Sequence, residues 1–144
     1  MPTKQRETVD RLIAAFNAQD LPTIISLRTP TCLRNFLPAS LNFPPQDNDA
    51  YLANLTSMKA LFTTFHLNVK DIVEDVEERK IVIFVSAEGE TMVGKYVNEY
   101  VWRMKFDEQG LVEEWWEFVD VGMVRDFLPK LREARARGSG TEKS

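Results

Sequence analysis

The chain has one cysteine, Cys32, and one histidine, His66, in 144 residues. A lone cysteine excludes an intrachain disulfide and a cysteine metal cluster. A lone histidine excludes two-histidine metal sites of the H-E-x-x-H kind. The patterns G-x-S-x-G, G-x-x-x-x-G-K and C-x-x-C are all missing. Their absence argues against a serine nucleophile on a strained elbow, a phosphate-cradling loop and a thiol redox pair. A basic surplus is missing too: 18 Lys and Arg stand against 22 Asp and Glu, for a net charge of −4. Neutralising phosphates needs excess positive charge, so nucleic acid is not an expected partner. No apolar run approaches the ~20 residues of a membrane span. The opening Met-Pro-Thr-Lys-Gln-Arg-Glu carries charge without the apolar centre of a secretory signal. The expectation is a soluble, cytoplasmic protein with no membrane span, no metal and no cofactor.

What the chain does have is ordinary globular composition, 44% hydrophobic and 28% charged, enough for one packed core without a staple. One domain is expected over 1–137, followed by a disordered tail over 138–144. Val9, Leu12, Ile13 and Phe16 repeat at helical spacing, with Thr3 as cap. Asp20 caps a second, short helix that has Pro22 in its first turn. Cys32 to Leu37 reads as a strand with Cys32, Arg34 and Phe36 on one face. The Pro38–Pro45 loop is long enough to form a lid or rim. Asp47 or Asn48 caps a third helix, with Tyr51, Leu55, Met58 and Phe62 as its buried stripe.

From Phe65 onward the period changes to two. Ile81 to Ala87 is apolar at successive positions, as in a strand covered on both faces, and Glu88-Gly89-Glu90 with Gly94 marks the next connection. Tyr96–Phe106 and Leu111–Asp120 form a hairpin around Asp107-Glu108-Gln109-Gly110. A last helix runs from about Val121 to Arg135, with Pro129 demanding a kink or break. Helices followed by antiparallel strands make an α+β fold: a cone-shaped curved antiparallel sheet with N-terminal helices enclosing a hydrophobic pocket.

A four-residue hairpin loop pairs Arg103 with Glu114, Trp102 with Trp115 and Tyr100 with Glu117, the first two being favourable cross-strand pairs. One face then carries Tyr96, Asn98, Tyr100 and Trp102 beside Trp115 and Glu117, and should look toward the helices. A carboxylate in that setting loses hydration, which is expected to raise its pKa. Glu117 is therefore either a general acid or base, or a core carboxylate hydrogen-bonded to Tyr100. Arg34, if buried, must meet an anion, from the protein or from a substrate. Asn98 and Tyr100 are polar tips suited to orienting a ligand, while Tyr51, Trp102 and Trp115 are either pocket wall or plain core. His66 shares strand parity with Asn68 and Lys70, a polar face. The opposite face of the hairpin holds Trp116 and Phe118, which suggest a homodimer interface.

The order of elements, with Tyr96-Val97-Asn98-Glu99-Tyr100-Val101-Trp102 followed by Glu114-Trp115-Trp116-Glu117-Phe118-Val119-Asp120, resembles the nuclear-transport-factor-2-like (SnoaL-like) superfamily. Arg28-Thr29-Pro30-Thr31-Cys32-Leu33-Arg34 with Leu37-Pro38-Ala39-Ser40-Leu41 is similar to a fungal branch of small isomerases and cyclases of meroterpenoid and polyketide biosynthesis. The resemblance implies cofactor-free chemistry by an Arg, His and carboxylate cluster. Glu117 would move a proton, His66 would serve as the complementary acid or base, and Arg34 and Tyr100 would stabilise negative charge on oxygen. Asn98, Trp102, Trp115 and Tyr51 would contact a small hydrophobic substrate. Limonene epoxide hydrolase of the same fold has an arginine and an aspartate where this chain has Tyr100 and Trp102, and the paired histidines of scytalone dehydratase need more than one histidine. The implied function is an isomerase or cyclase of a terpenoid or polyketide intermediate. The alternatives are a dehydratase or hydrolase in the same pocket, or a non-catalytic module that binds a hydrophobic ligand or partner.

Overall fold

The computed structural model describes residues 1–143, with side chains through Arg137. The tail expected over 138–144 lies outside the residues described in full. Helix α1 (Lys4–Ala18) starts where the Thr3 side chain accepts from the Arg6 N–H, and ends at Gln19 in a left-handed conformation, φ 53°. Helix α2 (Leu21–Ser26) is capped by Asp20, with Pro22 in its first turn. Strand β1 (Arg34–Leu37) is followed by a loop containing a single 3-10 turn at Ala39–Leu41, then by α3 (Asn48–Lys59), capped by Asp47. Strands β2 (Phe62–Asp75), β3 (Lys80–Thr91), β4 (Gly94–Phe106) and β5 (Val112–Val119) follow. A π turn over Met123–Phe127 leads into α4 (Leu128–Lys143). Pro129 follows the π turn directly, where the Leu128 N–H bonds to the Met123 carbonyl, so a widened helical turn stands where a kink or break was expected.

The five strands make one curved sheet in the order β1-β5-β4-β3-β2. β1 joins β5 in parallel, while the other pairs are antiparallel, so the expected antiparallel sheet acquires one parallel edge. β1 and β2 lie at opposite edges, and the segment carrying α3 connects them. Helix α1 packs against the sheet through Val9, Leu12 and Phe16, whose ring centre lies 5.2 Å from Trp102.

Three expectations are corrected. α3 ends at Lys59, and Phe62 opens β2 instead of closing the helical stripe. β3 runs through Glu88-Gly89-Glu90, and it is buried on one face only: Ile81, Ile83, Val85 and Ala87 are covered while Phe84 is 43% exposed. Helices cover a single side of this sheet, so an apolar residue on the other side stays in water. Gly89 belongs inside the strand because a Cβ there would run into the Thr64 carbonyl and the Phe62 ring.

The third correction is the hairpin register. Trp102 opposes Glu117, Met104 opposes Trp115 and Arg103 opposes Trp116, two residues from the expected pairing. The loop closes one residue later, through Asp107 N–H to the Leu111 carbonyl at 2.9 Å. The Asp107 side chain supports it by accepting from the N–H groups of Gln109 and Leu111. A bulge beside Lys105 and Phe106 adds the second residue. An even displacement preserves strand parity, so the inward set survives. Arg103 still reaches Glu114, now diagonally, at 3.4 Å.

Candidate active site

The parallel β1–β5 edge sets Phe36 opposite Glu117 and Arg34 opposite Trp115. From there the Arg34 guanidinium reaches Glu117 Oε2 at 2.6 Å, with side chains 12% and 2% exposed. Its other terminal nitrogen donates to Gln46 Oε1 at 2.9 Å and Asn54 Oδ1 at 3.3 Å. Gln46 is in reach because Arg34 and Gln46 exchange two backbone hydrogen bonds, 2.8 and 3.0 Å, which strap the proline loop shut at its base. The Arg34 guanidinium carbon lies 4.5 Å from the Phe36 ring centre and 4.6 Å from that of Tyr51. Arg28, also buried, lies 4.6 Å from the same Tyr51 ring.

Burial alone would pull the Arg34 pKa down, but the Glu117 charge and hydrogen bond outweigh it, and the net shift is upward. Arg28 has no such carboxylate, and burial moves it down. The Tyr51 phenol is pushed up to about 12, chiefly by burial.

Arg34, Glu117 and Tyr51 open onto a cavity of about 300 Å³ lined mostly by apolar side chains, among them Phe16, Leu55, Phe62, Leu67, Trp102 and Val119. Its polar wall is Arg34, Glu117, Tyr51, Asn54, Tyr96 and Tyr100, with Gln19, Lys59 and Arg132 as further lining residues. The Tyr96 and Tyr100 hydroxyls lie 2.8 Å apart. The Asn98 amide donates to both, at 2.6 and 3.2 Å. Burial raises both phenols, Tyr100 well above the usual range.

The structure therefore gathers Glu117, Arg34, Tyr100, Tyr51 and Trp102 around one cavity. Trp115 is fully buried against Trp102 and Tyr51, with ring centres 5.1 and 5.9 Å away, and is absent from the cavity wall. Asn98 sits behind the two phenols instead of lining the space. His66 is exposed on β2 opposite Glu88, on a shallow hollow with Lys95, and does not join Arg34 and Glu117. Glu117 is not hydrogen-bonded to Tyr100, as one reading expected: its partner is Arg34, the protein anion left open for that arginine, and Tyr100 is hydrogen-bonded to Tyr96 and Asn98.

Tyr96, Gln46, Asn54 and Arg28 complete the site beyond the sequence-predicted residues. Tyr96 had a signal, since it shares strand parity with Asn98 and Tyr100. Gln46 and Asn54 had none, because loop closure and helix placement bring them to Arg34. Among the described residues, no group of three or more His, Cys, Asp or Glu is placed to hold a metal ion. Among the same residues, no helix is long and apolar enough to cross a membrane.

No protein-family model matches the chain. Austinoid biosynthesis clusters protein H of Penicillium brasilianum is 32% identical over 127 residues, covering 85% of this chain and 86% of that protein. The chain belongs to the austinoid biosynthesis cluster protein family. Among solved structures, this family member is similar to BvnE pinacolase from Penicillium brevicompactum, at 25% identity and a TM-score of 0.82, covering 93% of this chain and 97% of that one. An NTF2-like protein from Burkholderia pseudomallei, 15% identical, superposes with a TM-score of 0.72 over 85% of this chain and 95% of that one, and shows the fold alone. The austinoid-cluster family member thus has the nuclear-transport-factor-2-like fold expected from its hairpin motif.

Proposed function

We propose that the chain is a cofactor-independent isomerase or cyclase that works by acid–base chemistry on a hydrophobic terpenoid- or polyketide-derived intermediate in the cytoplasm. The observation that carries this reading is the Arg34–Glu117 pair, 2.6 Å apart, on the wall of an otherwise apolar cavity. A buried ion pair stabilises a fold no better than well-packed apolar residues of the same volume, so its place on a cavity points to chemistry. Glu117 accepts a proton from the bound intermediate and returns it at another atom. Arg34, always charged, faces the negative charge that develops on a substrate oxygen. Tyr100 keeps its proton at neutral pH and serves as a donor. The aromatic walls hold the ligand in one reactive shape, which favours ring closure and migration over competing paths.

The likeness to BvnE pinacolase supports a second reading, loss of water from the same pocket. The two are separated by incubating the purified chain with a panel of oxidised terpenoid intermediates and following product mass. An unchanged mass identifies isomerisation or cyclisation, and loss of one water identifies dehydration. Glu117→Gln is expected to abolish either conversion while ligand binding and the far-ultraviolet spectrum persist. Full turnover by Glu117→Gln would sink the proton-transfer role of Glu117, whereas binding with no conversion by the unmodified chain would leave a ligand-binding module.

The outer sheet face supports a homodimer. Phe84, Val101 and Phe118 form one cross-strand row, and Phe84 and Phe118 are 43% and 49% exposed. Trp116 flanks that row, half-buried, with its indole N–H donated to Glu114 at 2.8 Å.

A further inference from the structure

Tyr96, Asn98 and Tyr100 occupy alternate positions on β4, so their side chains leave the same face. The Glu99 backbone N–H donates to Asn98 Oδ1 at 2.8 Å. That bond settles the amide orientation, because an NH₂ group in its place would meet another donor. The Asn98 NH₂ must then face the phenols, and it donates to Tyr96 Oη at 2.6 Å and Tyr100 Oη at 3.2 Å. Both phenolic oxygens are therefore acceptors toward Asn98, and neither hydroxyl can give its proton to that amide nitrogen.

The remaining count is short. Two hydroxyls carry two protons, and one proton is used in the 2.8 Å bond between them. Among the described residues neither hydroxyl has another partner. One phenolic proton is left without a protein acceptor, whichever way the inter-tyrosine bond runs. Both tyrosines line the cavity.

We propose that Asn98, Tyr96 and Tyr100 form a donor-only subsite that takes an acceptor oxygen of the substrate, a ketone, ester or lactone carbonyl. In that subsite Asn98 is the positioning residue that keeps the spare proton on the cavity side. Burial holds both phenols in the protonated form, which keeps the donor present at neutral pH. The bonds arriving from Asn98 also polarise the phenols and strengthen the outgoing bond. The subsite rests on reading the cavity as the substrate site, but not on any proton moved by Glu117.

The test uses β-ionone, a terpenoid ketone, labelled with carbon-13 at its carbonyl and titrated into the purified chain. Saturable binding with a downfield shift of the carbonyl resonance, relative to the free ketone in an apolar solvent, is expected. The double variant Tyr96→Phe/Tyr100→Phe should lose the shift and bind about three- to tenfold more weakly, the loss of one hydrogen bond. Asn98→Leu should weaken the shift without abolishing it, since the pair still has one proton to spare but nothing holds that proton on the cavity side. An unchanged shift in Asn98→Leu would overturn the positioning role of Asn98. Asn98→Asp should lose it with both tyrosines present, because a carboxylate draws the phenolic protons to itself. A shift that persists in the double phenylalanine variant or in Asn98→Asp, or no saturable binding by the unmodified chain, overturns the subsite. If Asn98→Asp does not fold, the double variant and Asn98→Leu decide. The same titration on Glu117→Gln keeps the two ideas apart, because an intact shift beside undiminished turnover would overturn the proton-transfer reading alone.

Discussion

Arg34 on the edge strand and Glu117 on its parallel neighbour meet at 2.6 Å, although 83 positions separate them in the chain. Neither is in direct register with the other. Phe36 faces Glu117, so the long arginine side chain bridges two positions to reach the carboxylate. That offset leaves its second terminal nitrogen turned to Gln46 and Asn54, and it ties loop, helix and sheet to a single cation.

Removing one member of this pair should destabilise the fold strongly. Arg34→Met leaves the Glu117 charge buried and uncompensated, an expected loss of about 3–5 kcal/mol. The paired replacement Arg34→Met/Glu117→Leu should recover most of it while remaining inactive. Urea unfolding midpoints of the single and double variants check both statements.

Stability should also fall in strong alkali. The Tyr51 phenol titrates near 12 in the folded chain against an ordinary value of 10. The folded state holds this proton more tightly than the unfolded state does. Its contribution is complete below about 10 and is lost as pH rises toward about 12. Tyrosinate absorbance followed beside thermal melting should show late ionisation and a falling midpoint over that window.

His66→Ala should leave turnover within about twofold, because the imidazole is exposed on β2 and does not line the cavity. A steady-state comparison with the unmodified chain is sufficient. A large fall in kcat would mean that the outer hollow takes part in the reaction.

Gly110→Ala should cost about 1–3 kcal/mol. Gly110 has φ +86°, and an added Cβ would lie 2.9 Å from Lys4 Cβ on α1. The change strains the turn and pushes on the helix that Thr8 anchors through its bond to the Gly110 carbonyl. Calorimetry gives the cost, and the far-ultraviolet spectrum should be retained.

Phe118→Lys, on the outer face, should shift a homodimer to monomer without altering the cavity. Sedimentation velocity on both proteins reads this directly. A monomeric unmodified chain would remove the interface from the proposal.

The α1 stripe and the caps at Thr3, Asp20 and Asp47 were legible because each depends on residues within one turn of one another. The inward set Tyr96, Asn98, Tyr100 and Trp102 was legible for a similar reason: alternation along a strand is a property of the strand itself. It holds in the structure because the observed register differs from the expected one by two residues and not by one. Arg34 and Glu117 were each visible as candidates, one from strand parity and one from its aromatic neighbours.

Their pairing was not visible. It depends on β1 adding itself in parallel beside β5, a choice made by the whole sheet closing under the helices. The same closure decided the fate of His66. Its strand parity was readable, but only the one-sided cover of the sheet determined that this parity faces outward. Short-range periodicity thus decided which side chains travel together on each element, since backbone geometry repeats locally. Which elements become neighbours, and so which charges meet, was decided by the tertiary structure, because burial and strand pairing are settled jointly by segments distant in the chain.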